Sequence, residues 1–174
     1  MLKFATILLV AAMMTGCASK YKTDAFEAPV EKLQTNGNAY VTMAKDGSYG
    51  SKQYSNSGYL LSIATNAAVS LHLKRVEQAT QVESIEESLS SAEEMGLTYV
   101  FQPTILHWED RSTEWSGKPD RITIKIVVWS VRTRKEISST VLRASSKWGT
   151  LGGDHPQDLL PGAITPFVSK LFNG

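Results

Sequence analysis

Alternating apolar and polar side chains over residues 121–132 constrain the fold more than any other feature of the sequence. The apolar face of this segment is formed by Ile122, Ile124, Ile126 and Val128. A repeat of two residues is typical of an antiparallel strand with one buried and one solvated side. Residues 133–135 form a short polar turn and residues 137–147 predict a further strand, so the two strands are expected to pair as a hairpin.

Shorter patterns indicate an α+β domain. Apolar runs predict strands at residues 39–44, 76–79 and 97–109. Helical spacing predicts helices at residues 58–73, 84–96 and 156–171, the second of them opened by a capping box at Ser84. The resulting β-α-β-α-β-β-β-α order predicts a mixed β-sheet with the helices packed on one face. This order resembles the small periplasmic domain of the curli-secretion lipoprotein and the N-terminal domain of the Tol translocation protein, a likeness of topology only.

Apolar spacing also selects the buried faces of the first and last helices. The expected buried face of the first helix consists of Leu60, Ala64, Ala67, Ala68 and Leu71. That of the last helix consists of Leu160, Ile164, Phe167, Val168 and Leu171. Pro161 and Pro166 are expected to break or kink the last helix into two pieces.

The N-terminus has the charged, apolar and small-residue order of a secretory signal peptide over residues 1–16. Its apolar stretch, residues 4–14, is shorter than the roughly 20 residues that cross a bilayer. Residues 14–17, Met-Thr-Gly-Cys, resemble a lipobox, the site at which bacterial lipoproteins are acylated on cysteine. Ala18 stands where an aspartate would favour retention at the inner membrane, which favours sorting to the outer membrane.

Cys17 is the only cysteine of the chain. It therefore has no partner for an internal disulfide, and an unpaired thiol in an exported protein is a liability unless it is modified. The alternative is an ordinary cysteine beside the cleavage site of a secreted protein. We expect a lipidated Cys17 carrying palmitate or a similar acyl chain, a flexible tether over residues 17–38, and one globular domain over residues 39–174 at the periplasmic face of the outer membrane.

The charge balance excludes one class of partner. Removal of the signal peptide removes only Lys3 from the charged side chains and leaves 17 basic and 17 acidic groups. A formally neutral chain offers no basic footprint for nucleic acid. We expect no nucleic-acid partner and no cofactor.

Three segments resemble the signature sequences of an uncharacterised family of bacterial lipoproteins, known only as a domain of unknown function. They are residues 105–111 (ILHWEDR), 114–121 (EWSGKPDR) and 152–161 (GGDHPQDLLP). The resemblance runs from about residue 40 to residue 172. It implies a lipoprotein and transfers no catalytic residue to this chain.

Two histidines and two carboxylates could form a metal site. His107 and Glu109 share one face of a predicted strand, and Asp154 with His155 could join them to bind zinc or copper. A hydrolytic enzyme built on the same four residues is the alternative function. The other interpretation is local: Asp154 or His155 caps the last helix, with Pro156 in its first turn.

The connection between residues 110 and 121 mixes acids, bases and a tryptophan. Trp115, Arg111, Glu114 and Lys118 are candidate contacts to a partner, because aromatic and arginine side chains are common interface anchors. The alternative is a solvated hairpin turn held by surface ion pairs. We expect a non-enzymatic binding or envelope-assembly module that is anchored to the membrane through Cys17 and acts on an envelope protein or peptidoglycan.

Overall fold

The computed structural model describes residues 19–111, 118–146 and 155–172. Six strands form one mixed sheet: β1 (Lys20–Glu27), β2 (Ala39–Val41), β5 (Val76–Gln78), β6 (Tyr99–Glu109), β7 (Arg121–Ser130) and β8 (Lys135–Ser145). Their spatial order is β1-β8-β7-β6-β2-β5. The first four strands of this order are antiparallel, whereas β2 runs parallel to β5 and β6. A small hairpin of β3 (Gly47–Tyr49) and β4 (Lys52–Tyr54) contacts β6.

The predicted hairpin of β7 and β8 is confirmed. All four apolar residues of the predicted β7 face are fully buried: Ile122, Ile124, Ile126 and Val128. The turn places Arg134 in the left-handed region at a φ of 53°. The alternation of this segment therefore determines which side of the sheet faces the core.

Within the described residues the α-helices are α1 (Ser57–Ser70), α2 (Ile85–Glu94) and α3 (Leu160–Phe172), the last preceded by a 3-10 helix at Pro156–Leu159. The α+β class with a mixed sheet is confirmed. Packing on one face holds for α1 and α3, which share a core with β7. Helix α2 lies on the opposite face, where its Leu89 and Ala92 pack with Tyr40 and Val100. The parallel part of the sheet is covered on both sides, as parallel strands usually are.

Helix α1 buries only part of the predicted face: Ala68 is buried and Ala64 is partly buried against the core, whereas Leu60, Ala67 and Leu71 are exposed. The rest of the buried side includes Leu61, Ser62 and Thr65. The hydroxyl groups of Ser62 and Thr65 donate 2.9 Å hydrogen bonds to helix carbonyl groups four residues earlier. Because the helix itself satisfies these hydroxyls, small polar residues can occupy the core side.

The tether predicted for residues 17–38 is wrong at Lys20–Glu27, which forms β1 and pairs with β8. The backbone N–H of Leu33, a buried residue, also donates to Leu171 at 2.9 Å. The inward side of β1 carries Tyr21, which lies against Gly162 of α3, and Phe26, which contacts the ring of Phe167 edge-on at 5.8 Å. The predicted signal peptide and Cys17 lie outside the described residues.

The predicted buried face of the last helix is confirmed at all five positions. The predicted division into two pieces occurs between the 3-10 helix and α3, with Pro161 in the first turn of α3. Pro166 lies inside α3 and does not end it. No helix among the described residues is long and apolar enough to cross a membrane.

Candidate functional site

Ionisable side chains gather at one end of the sheet, where β6 ends, β7 begins and β8 ends. In the strand register Glu109 is opposite Arg121, Arg121 is opposite Ser145, and Ser145 is opposite Lys20. We call this row, Lys20, Ser145, Arg121 and Glu109, the Glu109 end of the sheet. His155, at the start of the 3-10 helix, lies near it through Asp110.

A bulge in β6 sets the direction of the side chains at this end. The pairing of β6 with β7 shifts between Ile105 and His107. Odd-numbered residues face the core before this bulge and even-numbered residues face it afterwards, so Trp108 enters the core and is only 2% exposed. His107 and Glu109 then share the other side, and His107 Nε2 lies 3.4 Å from Glu109 Oε2. The predicted common face for these two residues is confirmed.

The carboxylate of Glu109 is buried and paired. It accepts a hydrogen bond from the guanidinium of Arg111, and the ring of Tyr49 packs edge-on against His107 with centroids 5.2 Å apart. Burial raises the pKa of Glu109, but the hydrogen bonds from His107 and Tyr49 and the charge of Arg111 outweigh it and lower the pKa overall. Glu109 is therefore a charged, structurally engaged group.

A second group joins Asp110, Asp120 and His155, whose ligand atoms lie within 4.8 Å of one another. Asp120 Oδ1 accepts a 2.7 Å hydrogen bond from the backbone N–H of Arg111, and its own N–H donates to Ser146 Oγ at 2.9 Å. Burial, together with the charge of Asp110, raises the pKa of Asp120 despite the hydrogen bond from Arg111. These contacts tie together the ends of β6, β7 and β8.

The structure divides the predicted metal set. Among the described residues, His107 lies with Glu109, whereas His155 lies with Asp110 and Asp120. Asp154 lies outside the described residues. The described residues therefore do not bring His107, Glu109 and His155 together as one ligand set, and Glu109 is paired with Arg111. The local interpretation places His155 at the start of the last helical stretch. There the backbone N–H of His155 donates a 2.9 Å hydrogen bond to Asp158 Oδ2 of the 3-10 helix.

The predicted partner contacts are placed only in part. Arg111 turns toward Glu109, with its side chain 28% exposed, and supports the base of the 110–121 connection. Lys118, near the other end of this connection, is exposed. Glu114 and Trp115 lie outside the described residues, so their contact role stays a prediction.

Sequence reasoning missed the grouping of Asp110, Asp120 and His155. The available signal was that Asp110 and Asp120 flank the 110–121 connection on two strands predicted to be neighbours in sequence. Neighbouring antiparallel strands bring the two ends of their connection together. The approach of His155 depends on where β8 delivers the chain, which no local pattern indicates.

The chain matches one protein family and is similar in fold to several solved structures. A family model described as "Domain of unknown function (DUF4823)" matches residues 31–171. The chain is similar to the PelC dodecamer from Paraburkholderia phytofirmans, with a TM-score of 0.67 and 12% identity over 88% of this chain and 97% of that one. It is also similar to lipoprotein GNA1162 from Neisseria meningitidis, with a TM-score of 0.50 and 14% identity over 76% of this chain and 98% of that one. No curated protein matches the sequence.

Proposed function

The chain belongs to the DUF4823 family, and we propose that it is a lipid-anchored binding or assembly module of the bacterial cell envelope rather than an enzyme. The anchor is an acyl-modified Cys17, and the location is the periplasmic face of the outer membrane. The partner is an envelope component that meets the 110–121 connection.

One observation carries this proposal: the ionisable groups of the site are engaged with one another. Glu109 is 2% exposed and held by Arg111 and His107, and Asp120 accepts from the Arg111 backbone. An acid or base in catalysis must instead reach a substrate proton within hydrogen-bond distance. The arrangement is suited to holding Arg111 and Asp120, the residues at the two ends of the 110–121 connection, in fixed positions.

The fold gives general support. Proteins that share it include a lipoprotein and a protein that assembles as a dodecamer. At these low identities the likeness is one of fold, and fold alone does not determine function. The specific assignment therefore depends on testing the contact surface in this chain.

The test is truncation of Trp115 in intact cells. We expect Trp115→Ala to leave the thermal unfolding temperature nearly unchanged and to weaken crosslinking to the envelope partner, because exposed anchors contribute to binding and little to folding. Leu71→Ala is the matched control, since Leu71 is an exposed apolar residue of another surface. Sacculi and membrane proteins are recovered separately after crosslinking. Unfolding of the Trp115→Ala protein, or equal crosslinking by both variants, would contradict the proposed surface.

A further inference from the structure

The first strand limits how far the domain can lie from its proposed anchor. β1 begins at Lys20, three residues after Cys17, and is held in the sheet by β8. Three residues of extended chain reach at most about 11 Å. An acylated Cys17 would therefore keep Lys20, the β1 residue of the Glu109 end, within about 11 Å of the lipid surface. The ten residues of β7 place the opposite end, at the β7–β8 turn, roughly 30 Å away.

Charges at and beside the Glu109 end are presented unequally. Lys22 and Arg143 both pair with Asp24, and their side chains are 72% and 58% exposed, whereas that of Asp24 is 20% exposed. The basic partner is also the more exposed one in the pair of Arg111 with Glu109. Within these pairs the acid is the less exposed partner, so the outermost charge of each pair is positive.

Ion pairs far from this end show no such bias. Arg134 is 43% exposed and its partner Glu93 is 68% exposed. Arg75 and Glu77 are exposed to similar degrees. The bias is therefore a feature of the Glu109 end and its neighbouring rows in the described part of the chain.

A depression beside this end combines basic groups with an apolar one. Its lining consists of Leu106, His107, Arg121, Thr123 and Arg143. Leu106 is the extra residue of the β6 bulge and is half exposed. Cationic donors around an exposed leucine complement a phosphate group that lies above an acyl layer.

We propose that the Glu109 end, with Lys22 and Arg143 beside it, is a membrane-docking surface that binds anionic phospholipid headgroups. Docking holds the domain with this end on the bilayer and the β7–β8 turn away from it. The proposal rests on the proposed acylation of Cys17. It deepens the proposed function, because it makes the lipid surface itself an envelope component that meets this end of the sheet.

The orientation is tested with the full-length acylated protein in vesicles of phosphatidylethanolamine and phosphatidylglycerol. Acylation blocks the only native thiol, so a single introduced cysteine can carry a fluorophore. Lys118→Cys reports on the Glu109 end and Thr133→Cys reports on the β7–β8 turn. With a quencher on the lipid headgroup, we expect strong quenching at position 118 and little at position 133. Equal quenching at both positions, or stronger quenching at position 133, overturns the proposal.

The charge contribution is tested by neutralisation. Arg121→Gln with Arg143→Gln should reduce the docked-to-undocked ratio about 25-fold, because each basic residue at an anionic surface is worth about fivefold. Arg75→Gln with Arg134→Gln is the matched control and should leave the ratio unchanged. Equal effects of the two double variants, or docking that is independent of phosphatidylglycerol, overturn the headgroup assignment. If the fluorophore at position 118 is shielded from solvent in native membranes but not in vesicles, the surface binds a protein and the headgroup assignment is overturned.

Acylation and docking fail separately in these experiments. The mass of the intact protein and its flotation with vesicles report on acylation of Cys17. A protein that is not acylated and does not float contradicts the proposed anchor. A protein that is acylated and floats, but is quenched equally at both positions, contradicts the docking surface alone.

Discussion

Removal of Arg111 should expose how strongly the buried Glu109 depends on its cation. The side chain of Glu109 is 3% exposed and that of Arg111 is 28% exposed. Breaking a fully buried ion pair typically costs about 3–5 kcal/mol, since it leaves a buried charge without compensation. Arg111 is partly solvated and His107 remains beside Glu109, so we expect Arg111→Ala to lower the free energy of unfolding by about 2–3 kcal/mol.

The stability difference between wild type and Arg111→Ala should also depend on pH. The pKa of Glu109 is lowered in the folded protein, so its stabilising contribution is present above the unfolded-state value of 4.5 and is lost as the pH falls through the folded-state pKa. Loss of Arg111 raises the pKa of Glu109, and a protonated Glu109 needs no cation. The difference in stability between wild type and Arg111→Ala should therefore shrink as the pH falls from 7 toward the folded-state pKa.

The assay is urea unfolding followed by tryptophan fluorescence, because Trp108 is buried next to Glu109. Arg75→Ala is the control: its ion pair with Glu77 is exposed and should contribute less than about 1 kcal/mol. The double variant Arg111→Ala with Glu109→Gln should recover part of the loss. A loss below about 0.5 kcal/mol, or one that does not change with pH, would refute the assigned role of the pair.

Two further predictions concern the core and Asp120. Ile124→Ala should cost about 2–5 kcal/mol in unfolding free energy, because Ile124 is fully buried on the β7 face; a cost below about 0.5 kcal/mol would contradict the assigned packing. Asp120 has a raised pKa in the folded state, so it makes wild type gain stability as the pH falls through that pKa toward the unfolded value of 3.8. Asp120→Asn should remove this gain in pH-dependent unfolding, and an unchanged profile would contradict the burial of the charge.

Elements with a strong local pattern were predictable from the sequence. The alternation of residues 121–132 gave the buried face of β7, and the Ser84 capping box gave the start of α2, where Glu87 N–H donates to Ser84 Oγ at 3.2 Å. In both cases the signal and the structure that it specifies lie within one segment. Local propensity and tertiary packing agree there, as folding to one structure requires.

The predictions for β1 and for the buried face of α1 failed because the local sequence pattern did not follow the regular period of the element. In β1 the bulge at Asp24 shifts the register, so the inward residues Tyr21 and Phe26 do not share one alternation. In α1 the buried hydroxyls of Ser62 and Thr65 bond to the helix backbone, so polarity does not indicate the exposed side.

The placement of the site required the tertiary register. His107 and Glu109 were predictable as neighbours because they lie two residues apart on one strand. The position of His155 beside Asp110 and Asp120 was not predictable, because it depends on where the chain returns after β8, which no local pattern indicates. The opposite-face position of α2 likewise depends on the parallel pairing of β2, a contact between segments far apart in sequence.

The central claim is tested most directly at Cys17. Cells that express the wild-type chain or Cys17→Ser are grown with labelled palmitate, and their inner and outer membranes are separated from the soluble fraction. We predict that the wild-type protein carries the label and fractionates with the outer membrane, and that Cys17→Ser carries no label and leaves the membrane fraction. A Cys17→Ser protein that remains with membranes, beside a wild-type protein that carries no label, would contradict the account.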